Sequence, residues 1–210
     1  MLKDNGERQV GMMAGEREVH QSLRGISIDH QCRYRWVASK IERSDTILDA
    51  ICGVGYGSYI MAIRHPKEIQ AFDVCQDAID YANKYYSRQN IVYHTSDCHE
   101  ISFQDNYFSK IVCFEAIEHI ERPEEFLSNL RKWLSPQGTL YISSPNETVN
   151  PFSKERYPFH LRHWSASEFE EMLNEAGFKV CDWFSQRNKS SMTIDNHPWG
   201  ATMIAVCNKA

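Results

Sequence analysis

The run Phe114 to His119, F-E-A-I-E-H, sets two carboxylates beside an imidazole. Histidine titrates near neutral pH, so His119 could take the proton from a hydroxyl as it attacks an electrophile. Glu118 stands next to it, and His160 lies in an aromatic stretch further on. These three are the candidate catalytic residues. The same side chains admit a metal reading. Glu115, Glu118 and His119, completed by His160 or His163, would give mixed oxygen and nitrogen ligands suited to magnesium, manganese or zinc. Ordinary hydrogen-bonded carboxylate and imidazole pairs have the same composition, so a divalent metal is allowed here but not favoured, and no metal ligands are assigned.

Chemistry of this kind needs a bound partner, and the stretch Thr46 to Ser58, T-I-L-D-A-I-C-G-V-G-Y-G-S, is built to hold one. Ile47 to Ile51 reads as a short apolar strand and is followed by Gly53, Gly55 and Gly57, then by apolar residues at helical spacing. Glycines at a strand-to-helix turn let the backbone approach a ligand, and the first N–H groups of the helix are donors in search of acceptors. The alternating glycines do not have the G-x-G-x-x-G spacing of dinucleotide sites, and the lysine of a phosphate-cradling loop is missing. Ile51 is β-branched, which disfavours positive φ and crowds close approach.

The remaining elements follow from periodicity. Ile26 to Ile41 has helical spacing, with Ile28, Tyr34, Val37, Ala38 and Ile41 apolar. Glu68 to Asp73 reads as a second strand ending in an acid, where ribose hydroxyls would find an acceptor; Asp73 could also cap the helix that follows. Ile91 to His94 is a third strand leading to Asp97 and Cys98, and Lys110 to Phe114 a fourth. Strand ends in an open α/β sheet line the ligand crevice, so Glu115, Glu118 and His119 belong near it. The alternative for this stretch is a helix start with its glutamates at the positive end of the dipole. Pro123 to Leu134 is a helix, Ser135 to Gly138 a turn, and Thr139 to Ser143 a fifth strand. Glu147 to Trp164 lacks regular pattern but is dense in aromatic and histidine residues, which suits either a substrate platform or an aromatic cluster tying the loop down. Ser165 and Glu168 form a capping box for a helix through Leu173 that Gly177 ends, and Phe178 to Phe184 and Ala201 to Cys207 are two further strands.

The stretch Leu48, Asp49, Ala50, Ile51, Cys52, Gly53, Val54, Gly55 resembles the first motif of the class I S-adenosylmethionine-dependent methyltransferases, roughly L-D-x-G-C-G-x-G; that family usually has Gly or Ala where this chain has Ile51. His30, Gln31, Cys32, Arg33 and Tyr34 are similar to an H-x-x-R-Y stretch of relatives found with sugar-modifying enzymes, and L-S-P-Q-G-T-L resembles the family's L-x-P-G-G-x-L. The resemblance covers about residues 26 to 207. It implies an α/β, Rossmann-like, doubly wound and mostly parallel seven-stranded sheet with an antiparallel C-terminal hairpin, and S-adenosyl-L-methionine as cofactor. Arg33 would pair with the methionine carboxylate and Tyr34 cover the sulfonium. Asp49, Cys52, Gly53 and Gly55 would form the loop, Asp73 and Val74 the ribose site, Asp97 and Cys98 the adenine site, and Phe114 and Glu115 the end of the fourth strand. The implied reaction is methyl transfer to an oxygen of a small acceptor such as a sugar or sugar nucleotide. A non-catalytic cofactor-binding module, or transfer to nitrogen or carbon, is the alternative. F-E-A-I lacks the D/N-P-P-Y set of base-modifying DNA enzymes.

Bulk properties agree with this. The 210 residues are 42% hydrophobic and 24% charged, enough for one domain with its own core. A net charge of −5 argues against nucleic-acid partners. The seven cysteines form no C-x-x-C pair and read as reduced thiols of a cytoplasmic protein. No apolar run approaches a membrane span. Residues 1–25 read as a tail or lid, residues 26–210 as a single domain, and 147–164 as its substrate loop.

Overall fold

Ile47 and Leu48 are neighbours in one fully buried strand and enter different cores. Successive side chains of a strand point to opposite faces, so a strand apolar at consecutive positions must be covered on both sides. A computed structural model describes residues 17–188 and 190–210; the part of the tail or lid expectation that falls on residues 1–16 lies outside the described residues. Seven strands form one sheet: β1 (Thr46–Ala50), β2 (Glu68–Asp73), β3 (Ile91–Thr95), β4 (Phe108–Cys113), β5 (Leu134–Pro145), β6 (Phe178–Gln186) and β7 (Thr202–Lys209). Their order is β3-β2-β1-β4-β5-β7-β6. The first five pair in parallel, and β7 runs antiparallel between β5 and β6. This is the doubly wound sheet and antiparallel terminal pair expected from the sequence.

Helices α1 (Ile28–Ala38), α2 (Tyr56–Ala62) and α3 (Gln76–Tyr85) cover one face and α4 (Pro123–Trp133) and α5 (Ala166–Glu175) the other. Val37, Met61, Ile47, Ile69 and Val112 pack in the first layer; Leu48, Ile111, Phe126, Leu130 and Phe169 pack in the second. Pro123 occupies the first turn of α4, where its missing N–H costs nothing. The capping box of Ser165 and Glu168 starts α5, and Gly177 ends it at φ 80°.

Two local expectations change. Ser135 to Gly138 is no turn between helix and strand but lies within β5, where Phe108 pairs with Leu134 and Lys110 already with Thr139. The unmatched residues pucker out of the ladder as an extended bulge. After β4 the chain makes one 3-10 turn, Ile117–His119, instead of a longer helix.

The 147–164 segment is an irregular loop with a closed neck. Asn146 bridges to Trp164, and the Glu147 N–H donates to the Trp164 carbonyl at 2.8 Å. Among the described residues no helix is long and apolar enough to cross a membrane.

Candidate active site

The three inner parallel strands β2, β1 and β4 end at one rim, and the loops that leave them wall a cavity of about 1270 Å³. This is where an open α/β sheet binds ligands, because the chain separates to opposite faces there and leaves a crevice. Of the residues assigned from sequence, Arg33, Tyr34, Cys52, Gly53, Asp73, Val74, Asp97, Cys98, Phe114, Glu115, Glu118, His119 and His160 line it. Asp49 and Gly55 lie behind its wall.

Asp49 is fully buried at the end of β1, accepting from Ser58 Oγ at 2.5 Å and from Tyr34 Oη at 3.4 Å. Burial pushes its carboxyl from 3.8 up to about 6, with those hydrogen bonds pulling the other way. Gly55 has φ 85° at the start of α2, and a side chain there would strike Tyr93 Oη at 2.6 Å. Both residues shape the loop from beneath. Gly53 faces the cavity with φ 56°, and a Cβ added to it would meet nothing within 4 Å. Ile51 reaches φ 61° in spite of its β-branch, and its side chain packs partly against the core.

Asp73 is buried at the end of β2. Its Oδ2 accepts from the Gly53 N–H at 3.0 Å and its Oδ1 from the Cys75 N–H at 3.0 Å and from Arg17 Nη2 at 2.9 Å. It is therefore a clamp between the two strand ends, while Cys75 takes the N-cap position expected for it. Sequence reading passed over Arg17 and Glu18, because nothing in their local pattern marks two residues that reach the cavity from a segment outside the sheet.

At the wall formed by α1, Asp29 and Arg33 are both buried and 3.8 Å apart, and Arg33 Nη1 donates to Gln186 Oε1 at 2.6 Å. Asp29 Oδ1 and Arg33 Nε are buried with no hydrogen-bond partner among the described residues. Such a pair of opposite unmet groups suits a zwitterion, an amino group for the aspartate and a carboxylate for the arginine. The i,i+4 spacing of Asp29 and Arg33 was the available signal for Asp29.

Donor atoms of Glu118, His119 and His160 lie within 4.8 Å of one another. His119 Nδ1 is 3.1 Å from the Phe159 carbonyl. His160 Nδ1 is 2.6 Å from His163 Nε2, and His163 Nδ1 is 2.7 Å from the Asn150 carbonyl. Tyr157 stacks on His160 with ring centroids 5.0 Å apart. Glu115 does not join this group: at φ 47° its carboxylate turns to Ser143 Oγ and Thr202 Oγ1. His163 supports His160 rather than facing the cavity. Phe159, 42% exposed, and Pro158 form an apolar wall beside these polar groups, whereas Trp164 is buried against Phe169. The loop thus forms an aromatic cluster of its own and brings Pro158, Phe159 and His160 to the cavity wall.

Comparison with known proteins places this geometry. Residues 31–182 match the family model described as a methyltransferase domain. A protein of Mycolicibacterium smegmatis, named as a probable S-adenosylmethionine-dependent methyltransferase, is 30% identical over 157 residues, 73% of this chain and 59% of its own length. A ubiquinone biosynthesis O-methyltransferase of Rickettsia bellii is 35% identical over 108 residues, 50% of this chain and 44% of its own. The chain thus spans about half the length of the curated relatives it matches. The CcbJ methyltransferase of Streptomyces caelestis shares the fold with a TM-score of 0.71 at 12% identity, over 87% of this chain and 90% of that one. With a family model over most of its length, a cavity at the strand ends and a glycine loop open to it, the chain belongs to the methyltransferase-domain family of S-adenosylmethionine-dependent enzymes.

Proposed function

We propose that this chain methylates a hydroxyl oxygen of a small acceptor, of the sugar or sugar-nucleotide class, with S-adenosylmethionine as donor. One observation carries the reading: a single cavity joins the Gly53 and Asp73 loops to the cluster of Glu118, His119 and His160. The residues fit the donor. Asp29 and Arg33 would hold its amino and carboxylate groups, open space over Gly53 admits it close to the backbone, Asp73 with Val74 would take the ribose, and Asp97 with Cys98 the adenine. When bound, S-adenosylmethionine supplies an electrophilic methyl carbon whose bonding pair to sulfur stays with sulfur as the acceptor lone pair takes the carbon. The protein's part is to hold the acceptor oxygen in line and to receive its proton. Glu118, His119 and His160 are the groups placed to receive it. The apolar faces of Pro158 and Phe159 beside polar Arg122 and Glu121 suit a sugar ring.

Titration calorimetry with S-adenosylmethionine and S-adenosylhomocysteine tests the donor, and a panel of hydroxylated sugars and their nucleotides tests the acceptor. Micromolar donor binding with methyl transfer to a sugar hydroxyl supports the reading. Donor binding with transfer only to amines would move the acceptor atom to nitrogen, and no donor binding at all would remove the enzyme reading.

A further inference from the structure

Arg17 and Glu18 are consecutive, carry opposite charges and both line the cavity, yet they reach different walls of it. Arg17 Nη2 donates to Asp73 Oδ1 at 2.9 Å, at the end of β2. Glu18 Oε2 accepts from the Ser27 N–H at 2.6 Å, at the N-cap of α1. We infer that these two residues are an autoinhibitory latch: they occupy the two ends of the donor site, the carboxylate that would take the ribose and the wall that would take the amino-acid group, and must withdraw before S-adenosylmethionine binds. The inference rests on the methyl-transfer reading above and adds a competitor from within the chain.

At Asp73 the competition is for lone pairs. A carboxylate accepts at about four places. The Gly53 and Cys75 N–H groups take one on each oxygen and Arg17 a third, so a ribose diol, which brings two donors, is short of acceptors while the arginine stays. At the other end the competition is for charge. Burial raises the pKa of the Tyr56 hydroxyl; of the charges around it Arg33 bears on it most, pulling it down, and Glu18 next, pushing it up. Glu18 is therefore on the Arg33 side of the cavity, and a donor carboxylate entering beside Arg33 meets a like charge there. The N–H groups at the start of α1 favour one anion, and Glu18 is that anion.

The rest of the segment is held by other groups. Val19 and Leu23 pack on the cluster of Val54, Ala78 and Tyr86. Tyr86 Oη donates to the His20 carbonyl at 2.5 Å, and Gln31 Nε2 donates to the Leu23 and Ile26 carbonyls at 2.7 and 2.9 Å. None of these contacts uses a residue assigned to the donor, so residues 19–26 can stay docked while the side chains of Arg17 and Glu18 turn out. Both are only partly buried, and water can solvate them when they do. Contacts of this partly exposed kind hold by a factor of about 2 to 5 each. Two together bias the site by about 10-fold, which keeps the latch closed in about nine molecules of ten.

The test is titration calorimetry of the full chain with S-adenosylmethionine and S-adenosylhomocysteine, at low salt and in about 1 M sodium chloride, where the screening length falls to about 3 Å. At low salt the Arg17→Ala, Glu18→Ala double variant should bind both ligands about 10-fold tighter than wild type, and in high salt the gain should shrink to about 2-fold or less. Arg24→Ala removes a cation of the same segment that does not line the cavity, and should bind like wild type. The Arg17→Gln, Glu18→Gln double variant keeps the bulk and drops the charges; it should gain in the same direction, and it decides alone if the alanine pair does not fold. Binding in wild type with no gain in the double variants, a gain that persists in high salt, or an equal gain in Arg24→Ala overturns the inference and leaves the methyl-transfer reading intact. No binding in wild type or any variant sinks the methyl-transfer reading, and the latch with it.

Discussion

Arg17 Nη2 lies 2.9 Å from Asp73 Oδ1, so a residue from outside the sheet holds the carboxylate at the end of β2 that faces the cavity. The pair is unevenly buried, with the arginine side chain 20% and the aspartate 1% exposed. Two backbone N–H groups already use Asp73, and a ribose hydroxyl would have to share or displace the arginine. A partly exposed ion pair is worth about 1 kcal/mol or less. Arg17→Ala should therefore tighten binding of S-adenosylmethionine by a few-fold, about 3 to 5 times, whereas Asp73→Ala should weaken it by at least 10-fold. Calorimetry on both variants checks this, and weaker binding in Arg17→Ala would show that the arginine serves the ligand instead of competing with it.

Asp49 links the loop to pH. The folded protein holds its proton up to about pH 6, while an unfolded chain releases it near 3.8. Between those values the folded state binds more protons than the unfolded one, so stability falls as pH rises through the window. The full difference is worth about 3 kcal/mol at about 1.4 kcal/mol per tenfold change. Asp49→Asn, which can still accept from Ser58, removes the term. Urea unfolding should find the variant close to wild type near pH 4 and more stable by up to about 3 kcal/mol at pH 7.5. A constant difference across that range would remove Asp49 as the cause.

Ile51 offers a backbone test. A left-handed conformation costs a side-chain-bearing residue about 1 to 2 kcal/mol, and Ile51 holds φ 61°. Ile51→Gly relieves that strain but gives up packing against the core, while Ile51→Val gives up a methylene, about 1 kcal/mol, and keeps the strain. The glycine variant should be at least as stable as the valine variant by chemical denaturation, an inversion of the usual order for a partly buried site. Valine ahead by more than about 1 kcal/mol would mean the backbone is not strained there.

What could be read from the chain beforehand was what is local. β2 ends at Asp73 as its pattern implied, and the Ser165 and Glu168 cap lies where its spacing set it. Periodicity and capping act within a few residues, so they are written in order along the sequence. Ser135 to Gly138 misled for the same reason: the residues have turn chemistry, but β4 pairs with Leu134 before them and with Thr139 after them, so the strand runs on through a bulge. Arg17 reaching Asp73, Glu115 turning to Ser143, and His163 backing His160 were not legible. Each depends on how segments distant in sequence meet, or on a positive φ that no composition announces.

The last prediction separates proton transfer from metal chemistry at Glu118, His119 and His160. If an imidazole of this cluster takes the proton, a cation bound there would compete for the same lone pair. Methyl transfer should then persist after dialysis against EDTA and show no dependence on added magnesium or manganese. His160→Ala should lower kcat by on the order of 10²-fold or more, and His119→Ala by less, because His119 is the exposed member of the pair. Donor affinity should stay nearly intact in both, since Asp29, Arg33 and Asp73, the residues proposed to hold the donor, belong to α1 and the end of β2. Loss of activity in EDTA with recovery on adding one divalent ion would give Glu118, His119 and His160 to that ion, and a larger loss in His119→Ala would move the proton acceptor to the turn after β4.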